Sequence, residues 1–170
     1  MKKLLFAVLA LLPSLLLANP APFGLEIGKA TVKEAKQRYT LKKTGINAYS
    51  HGEMYEVSPR QLGLDGLKDA TLIFDRKGVL VAVLMTLDKG RFDRMHEMLR
   101  TKYKVVNKQI PFVGNKSVDY QEGNTSIQLR APHLSFDMTL NYLDKGLLAE
   151  YRRQREAERQ RKAARERSQL

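Results

Sequence analysis

The residues best suited to chemistry by type and spacing are His51, Glu53 and Glu56, which lie within six positions of one another. An imidazole and a carboxylate can share a metal ion or relay a proton. Their spacing matches none of the ligand patterns of known metal sites. The cluster therefore supports one hypothesis, a small periplasmic hydrolase or metal-dependent enzyme centred on His51, against the simpler interpretation of a polar turn leading into an edge strand.

The rest of the sequence offers no recognisable catalytic motif. Cysteine is absent, which excludes a thiol nucleophile. No nucleophile elbow, phosphate loop or dinucleotide-binding glycine pattern occurs. His96 flanks an apolar helical stripe and His133 follows a proline, so both are interpreted as structural. We predict no catalytic residue, no metal ligand and no cofactor, although distant residues can converge in a fold, which leaves an enzyme open.

The beginning of the chain has the pattern of a secretory signal peptide. Lys2 and Lys3 precede an apolar run over residues 4–17. A membrane-spanning helix needs about 20 apolar residues, and this run is shorter and interrupted by Pro13. We predict a signal peptide over residues 1–18, with cleavage after Ala18 or Ala21. The mature chain is expected in the periplasm or secreted, without a transmembrane segment.

Basic residues outnumber acidic ones, 30 to 18, and much of the excess lies at the end of the chain. A tail over residues 149–170 consists mainly of strong helix formers without an apolar stripe, which predicts a solvated helix or a disordered segment. In the periplasm such a tail would attract anionic lipid or lipopolysaccharide, and nucleic acid is not expected as a partner. Its basic residues are Arg152, Arg153, Arg155, Arg159, Arg161, Lys162, Arg165 and Arg167.

Two helices are indicated by capping and by apolar periodicity. Thr31 and Glu34 have the spacing of a capping box, which predicts a helix over residues 32–40. Phe92, Met95 and Leu99 form the inner stripe of a second helix over residues 89–103. Extended segments are predicted over residues 46–50, 54–57, 70–75, 79–87, 105–110, 116–120, 125–130 and 134–142.

Two of these strands carry information about burial. Residues 79–87 are apolar at nearly every position, which predicts a central strand covered on both faces. Ile73, Leu80 and Leu84 then need a cover that the first helix alone does not supply. In the last strand apolar and polar residues alternate, which predicts one core face and one wet face. The expected core side chains are Leu134, Phe136, Met138, Leu140 and Tyr142.

A helix followed by antiparallel strands occurs twice, after the segment FGLEIG at residues 23–28. In this order of elements the chain resembles small secreted modules such as the outer-membrane-assembly small lipoprotein and the β-lactamase inhibitor protein. It lacks the lipid-bearing cysteine of the first and the disulfides of the second. The resemblance implies a binding or assembly role rather than catalysis.

The predicted fold class is α+β: two tandem modules of a helix plus antiparallel strands, forming a sheet with helices on one face, and a projecting C-terminal basic helix. The domain spans residues 19–148, with modules over 23–87 and 88–142.

The wet face of the sheet is the predicted binding surface. Short hydrogen-bonding side chains around an arginine suit recognition of a protein or glycan of the cell envelope, whereas the simpler interpretation is a merely solvated face. The residues predicted to form it are Ser126, Gln128, Arg130, Ser135, Asp137, Thr139 and Asn141.

Overall fold

The computed structural model describes residues 18–169, in which the chain forms eight β-strands and three α-helices. The predicted signal peptide lies outside the described residues apart from Ala18. The strands are β1 (Leu41–Ile46), β2 (His51–Val57), β3 (Leu67–Asp75), β4 (Leu80–Asp88), β5 (Lys104–Gln109), β6 (Lys116–Glu122), β7 (Thr125–Ala131) and β8 (Asp137–Asp144). The helices are α1 (Val32–Arg38), α2 (Phe92–Arg100) and α3 (Lys145–Arg167).

All eight strands form one antiparallel sheet, in the order β1-β2-β3-β4-β8-β7-β6-β5. β4 and β8 pair in the middle, where Val83 lies opposite Tyr142. The outer edges are β1 and β5. The prediction that the apolar strand beginning near Val79 is central is therefore confirmed, and the fold class is α+β.

One face of the sheet is covered by α1, α2 and the segment before α1. Leu25 of that segment packs in a single hydrophobic core with Phe92 and Met95 of α2 and with Phe74 and Tyr120 of the sheet. All five side chains are buried. Burial of a large apolar side chain stabilises the fold by about 1.5–3 kcal/mol, so this layer contributes substantially to stability.

The capping box at the start of α1 forms as predicted. The Thr31 hydroxyl accepts a hydrogen bond from the Glu34 backbone N–H at 3.2 Å, and the Glu34 carboxylate accepts one from the Thr31 backbone N–H at 2.7 Å. These bonds satisfy amide groups that a helix start otherwise leaves without partners, which fixes the beginning of α1 at Val32.

The first strand lies earlier than the sequence predicted. β1 ends at Ile46, where a strand had been expected to begin. The Asn47 side-chain oxygen accepts hydrogen bonds from the backbone N–H groups of Tyr49 and Ser50, both at 2.9 Å, and this holds the following residues in a turn. β1 is an edge strand with mostly exposed polar residues, so it lacks the apolar alternation by which strands are recognised.

The start of the last strand was also predicted wrongly. β8 begins at Asp137, and the side chains of Leu134 and Phe136 are 95% and 91% exposed rather than in the core. The Lys89 backbone N–H donates to the Phe136 carbonyl at 2.9 Å, which ties this stretch to the end of β4 as a loop. The predicted alternation holds only further along the strand, where Met138 and Leu140 are buried.

The C-terminal helix is continuous with the sheet domain at its base. The Asp144 carboxylate caps α3 by accepting hydrogen bonds from the backbone N–H groups of Gly146 at 2.7 Å and Leu147 at 3.3 Å. Its second oxygen accepts from the Asn124 side chain at 2.7 Å. From residue 155 onward nearly every side chain of α3 is exposed, so the distal helix projects from the domain.

Candidate binding surface

The face of the sheet opposite α1 and α2, called the open face below, carries most of the predicted polar array. Asn141 of β8 pairs with Leu84 on one side and with Gln128 on the other, and Thr139 pairs with Arg130. Directly paired residues of neighbouring strands project from the same face. The structure therefore brings these polar side chains together, as predicted from the alternation.

The side chains of the predicted polar array differ in whether their hydrogen-bonding groups are free to contact a ligand. Arg130 donates from Nη1 to the carbonyls of Val118 and Leu129, both at 3.0 Å, and from Nη2 to Asp119. Its charge is thus compensated within the sheet, which makes it a structural residue at this position.

Two further members are engaged or displaced, and a third lies at the margin of the array. Asp137 forms an ion pair with Lys68, and Ser135 lies in the loop before β8, where its hydroxyl accepts from the Asp137 backbone N–H at 3.0 Å. Ser126 lies opposite Leu143, at the edge of the array nearest α3. The side chains of Ser126, Gln128, Thr139 and Asn141 form no hydrogen bonds within residues 18–169, so these groups are the ones available to a ligand.

An apolar groove of about 310 Å³, called the central groove below, lies beside the polar array. It is formed where the first turns of α3 cross the open face, so helix and strand residues face each other across it. Ile73 and Leu84, for which the sequence indicated a missing cover, lie at its floor. The complete lining is Asn47, Tyr49, Ile73, Leu84, Gln128, Leu143, Leu147, Leu148 and Tyr151.

Two tyrosines in the lining of the central groove contact each other. The rings of Tyr49 and Tyr151 meet edge to face, with centroids 5.0 Å apart and planes at 78°. Tyr49 belongs to the turn after β1, which is anchored by a hydrogen bond of 2.7 Å from the Ser50 hydroxyl to the Phe74 carbonyl. Aromatic pairs of this geometry contribute about 0.5–1.5 kcal/mol beyond their burial, so this contact holds α3 on the sheet.

The base of α3 is also tied to the turn between β6 and β7. The Lys145 backbone N–H donates to the Asn124 carbonyl at 3.0 Å, and the Lys145 ammonium donates to the Gly123 carbonyl at 3.1 Å. The wall of the central groove is thus fixed at both the start of the helix and at Tyr151. Such support at two points makes a preformed groove.

The histidine and glutamates of the alternative hypothesis do not converge. Glu53 and Glu56 lie on opposite faces of β2 because strand residues alternate in direction. Each is paired with its own lysine, Glu53 with Lys43 and Glu56 with Lys42. Within residues 18–169 no group of three or more metal-ligating side chains is close enough to hold an ion.

The charge state of Glu53 follows from its neighbours. The pKa of the Glu53 carboxyl lies below its usual value. The largest cause is a hydrogen bond from the Lys43 ammonium, and the second is a hydrogen bond of 2.5 Å from the Tyr55 hydroxyl. The carboxylate is therefore ionised and engaged at neutral pH. A general acid needs a raised pKa, so this environment does not favour that role.

The other two histidines occupy different environments. His96 is buried in the covered core, with Nδ1 2.6 Å from the Tyr120 hydroxyl. His133 lies in the exposed loop before β8, and its backbone N–H donates to the Asn115 side chain at 2.8 Å. Within residues 18–169 neither imidazole forms a hydrogen bond with a carboxylate, as the histidine of a catalytic acid–base pair does.

The predicted basic tail is helical and its charges are largely in solvent. Within α3, Arg153 is bridged to Glu150 at 2.8 Å, and Arg155 lies 3.5 Å from Glu158. Exposed pairs of this kind contribute less than about 1 kcal/mol each. The distal helix therefore presents an excess of positive charge without a packing surface.

None of the helices in residues 18–169 is long and apolar enough to span a membrane.

Sequence reasoning found the polar array but missed the central groove. The only signal was that Ile73, Leu80 and Leu84 lacked a cover. Leu147, Leu148 and Tyr151 supply it for Ile73 and Leu84 from just after the last strand, whereas Leu80 is buried in the covered core. Comparison of the chain with protein-family models, curated proteins and solved structures gives no match. The resemblance to small secreted modules therefore stays a prediction.

Proposed function

We propose that the protein is a non-catalytic binding protein of the periplasm, an inhibitor or an accessory factor in envelope assembly, that acts through the open face of its sheet. The observation that carries the proposal is the position of unpaired side-chain groups on Gln128 and Asn141 directly beside the central groove. Polar groups that fix orientation next to an apolar concavity are the usual composition of a binding site.

The ligand is a protein or glycan of the cell envelope, and the groove favours a protein segment. A protein segment supplies both an apolar side chain for the groove and backbone groups for the neighbouring amides. The groove volume of about 310 Å³ lies at the lower end of about 300–1,000 Å³ for small-molecule sites, so the groove accommodates a small anchor rather than a large cofactor.

The proposal includes the two tandem modules, residues 23–87 and 88–142. Its support is the strand order. The strands β1–β4 form one half of the sheet and β5–β8 form the other half, and the two halves meet at the β4–β8 pair. Leu84 belongs to the first module and Gln128 to the second, and both line the central groove. The binding surface thus lies across the junction and needs both modules.

The periplasmic address rests on the basic start and apolar run of residues 1–18. In that compartment the distal part of α3 would add a weak, salt-sensitive attraction to anionic lipid or lipopolysaccharide. Its support is the exposed excess of basic residues on the helix. Each lysine or arginine near an anionic membrane contributes at most about 1 kcal/mol, so this contact is auxiliary.

Site-specific crosslinking in intact cells tests the proposal. A photoreactive residue replaces Gln128 on the open face or, as a matched control, Gln37, an exposed glutamine of α1 on the other side of the sheet. We expect a discrete adduct from position 128. The adduct should disappear in the Leu148→Asp variant, in which a charged side chain replaces an apolar one in the lining of the central groove. Equal adducts from both positions, or an adduct from position 37 alone, would contradict a role for the open face.

A further inference from the structure

Two loops project side by side from one end of the sheet, at residues 110–115 between β5 and β6 and residues 132–136 between β7 and β8; they are called the tip loops below. They share an end because β5, β6, β7 and β8 are successive antiparallel neighbours. The hydrogen bond from the His133 N–H to the Asn115 side chain joins the two loops. They are therefore one surface.

The tip loops carry four large apolar side chains that are mostly exposed to solvent. Phe112 is fully exposed at 102%, Leu134 and Phe136 are 95% and 91% exposed, and Val113 is 66% exposed. Single exposed apolar residues are common on soluble proteins, whereas a group of them on adjoining loops marks an interaction site. Nothing in the folding of the domain explains them, because none contributes to the core.

A lysine without a carboxylate partner in the described residues lies behind the tip loops. Neither loop contains an acidic residue. The Lys89 ammonium lies at their base, where it donates to the carbonyls of Pro132 and, at 2.8 Å, His133. Lys89 has no carboxylate partner within residues 18–169, whereas Lys116, directly after the first loop, lies 3.7 Å from the Asp93 carboxylate, and Asp137, directly after the second loop, is paired with Lys68. Lys89 thus places one unpaired positive charge behind the apolar tips.

We propose that the tip loops insert their apolar side chains into the interfacial region of an anionic phospholipid bilayer. A bilayer accepts protruding phenylalanine and leucine side chains without shaped pockets, and its anionic headgroups complement Lys89 behind them. A protein partner would have to supply a separate pocket for each nearly isolated side chain. The inference is independent of the open face and of α3, which starts at the opposite end of β8.

Tryptophan fluorescence reads insertion directly, because the sequence contains no tryptophan. The full mature chain carrying Phe112→Trp is mixed with vesicles of phosphatidylethanolamine and phosphatidylglycerol. The control is Ile46→Trp, since Ile46 is 58% exposed and ends β1 at the other end of the sheet. We expect a blue shift with Phe112→Trp and none with Ile46→Trp.

Salt separates insertion from attraction by the basic helix. In about 1 M salt the screening length falls to about 3 Å, which suppresses long-range attraction between charges. Part of the blue shift of Phe112→Trp is expected to persist, because apolar insertion is not screened. A shift that vanished completely with salt would overturn insertion.

Partitioning of loop variants onto vesicles measures how much each exposed phenylalanine contributes to membrane binding. Phe112→Ser and Phe136→Ser are each expected to weaken partitioning about tenfold, as loss of part of a buried side chain implies. Ile46→Ser should bind as the unaltered chain does, and circular dichroism should show all variants folded. Unchanged partitioning of both loop variants would overturn the proposal. So would a protein adduct at position 112 in cells with no vesicle-dependent shift, which would assign the loops to a protein partner.

Discussion

The Nδ1 atom of His96 lies 2.6 Å from the hydroxyl oxygen of Tyr120 inside the covered core. Burial lowers the pKa of His96 below its usual value, and burial also raises the pKa of Tyr120. The neutral imidazole can therefore accept a hydrogen bond from the Tyr120 hydroxyl across the neutral range. Protonation of the imidazole would place a charge among apolar side chains and remove that acceptor.

This pair predicts a loss of stability in mild acid. In the unfolded chain His96 takes up a proton near its ordinary pKa of about 6.5, whereas the folded chain resists it until a lower pH. The unfolded state then binds more protons, so the free energy of unfolding falls as pH drops below about 6.5. Urea unfolding of His96→Gln should show a weaker pH dependence than the unaltered chain. His133→Gln, altered in an exposed loop, should keep the full dependence.

Two apolar residues near the beginning of β8 are predicted to contribute very differently to the free energy of unfolding. Met138→Ala should lower the free energy of unfolding by about 2–5 kcal/mol, because the Met138 side chain is fully buried. Phe136→Ala should change it by less than about 0.5 kcal/mol, as for an exposed side chain. Chemical denaturation measures both. Comparable losses would mean that the loop before β8 packs against the domain.

The contact between Tyr49 and Tyr151 predicts a measurable coupling. A double-mutant cycle with Tyr49→Ala and Tyr151→Ala should yield about 0.5–1.5 kcal/mol of interaction free energy, the range for edge-to-face aromatic pairs. The same cycle between Tyr49→Ala and Arg155→Ala serves as the control and should be close to additive, because Arg155 lies on the projecting part of the helix. An additive tyrosine cycle would show that α3 does not rest on the turn.

The distal part of α3 is predicted to be dispensable for folding. A chain ending after Gln154 retains Tyr151 and should unfold at nearly the same urea concentration as the full chain. It should bind lipopolysaccharide or anionic vesicles less well in low salt, because it lacks the exposed basic residues that follow. A full-length chain with Arg161, Lys162, Arg165 and Arg167 replaced by glutamine should show the same loss. Unchanged binding of both would leave the tail only a solubilising role.

The predicted signal peptide has a direct test. Mass measurement of protein recovered from the periplasm should show the loss of about 18–21 residues, with cleavage after Ala18 or Ala21. Retention of the intact chain in the cytoplasm would contradict export and with it the proposed compartment.

Local signals predicted the parts of the fold that depend on near neighbours. The Thr31–Glu34 capping box and the stripe of Phe92, Met95 and Leu99 lie within one or two helical turns, and both form as expected. The apolar run of β4 predicted its central position because both of its faces need cover. These features require no knowledge of distant contacts.

The rest of the fold and of the candidate site depends on contacts between residues that are distant in the sequence, and the spacing of residue types along the chain does not indicate these contacts. β1 was misplaced because an edge strand buries few side chains, and Phe136 was misassigned because the alternation of β8 continues by chance into a loop. The compensation of Arg130 by Asp119 depends on the pairing of β6 with β7. The central groove required α3 to return across the sheet, which no local pattern near Leu147 indicates.

The pairing of β4 with β8 also determines when the chain can fold. β4 ends at Asp88, and its partner begins only at Asp137. Until that partner arrives, β4 presents an unsatisfied backbone edge with apolar side chains on both sides, which is a template for aggregation. The permanent outer strands carry Lys42 and Lys108, and such charges discourage pairing with other molecules. The vulnerable edge thus exists only in the incomplete chain, and a product truncated before β8 is expected to aggregate although its first four strands are complete.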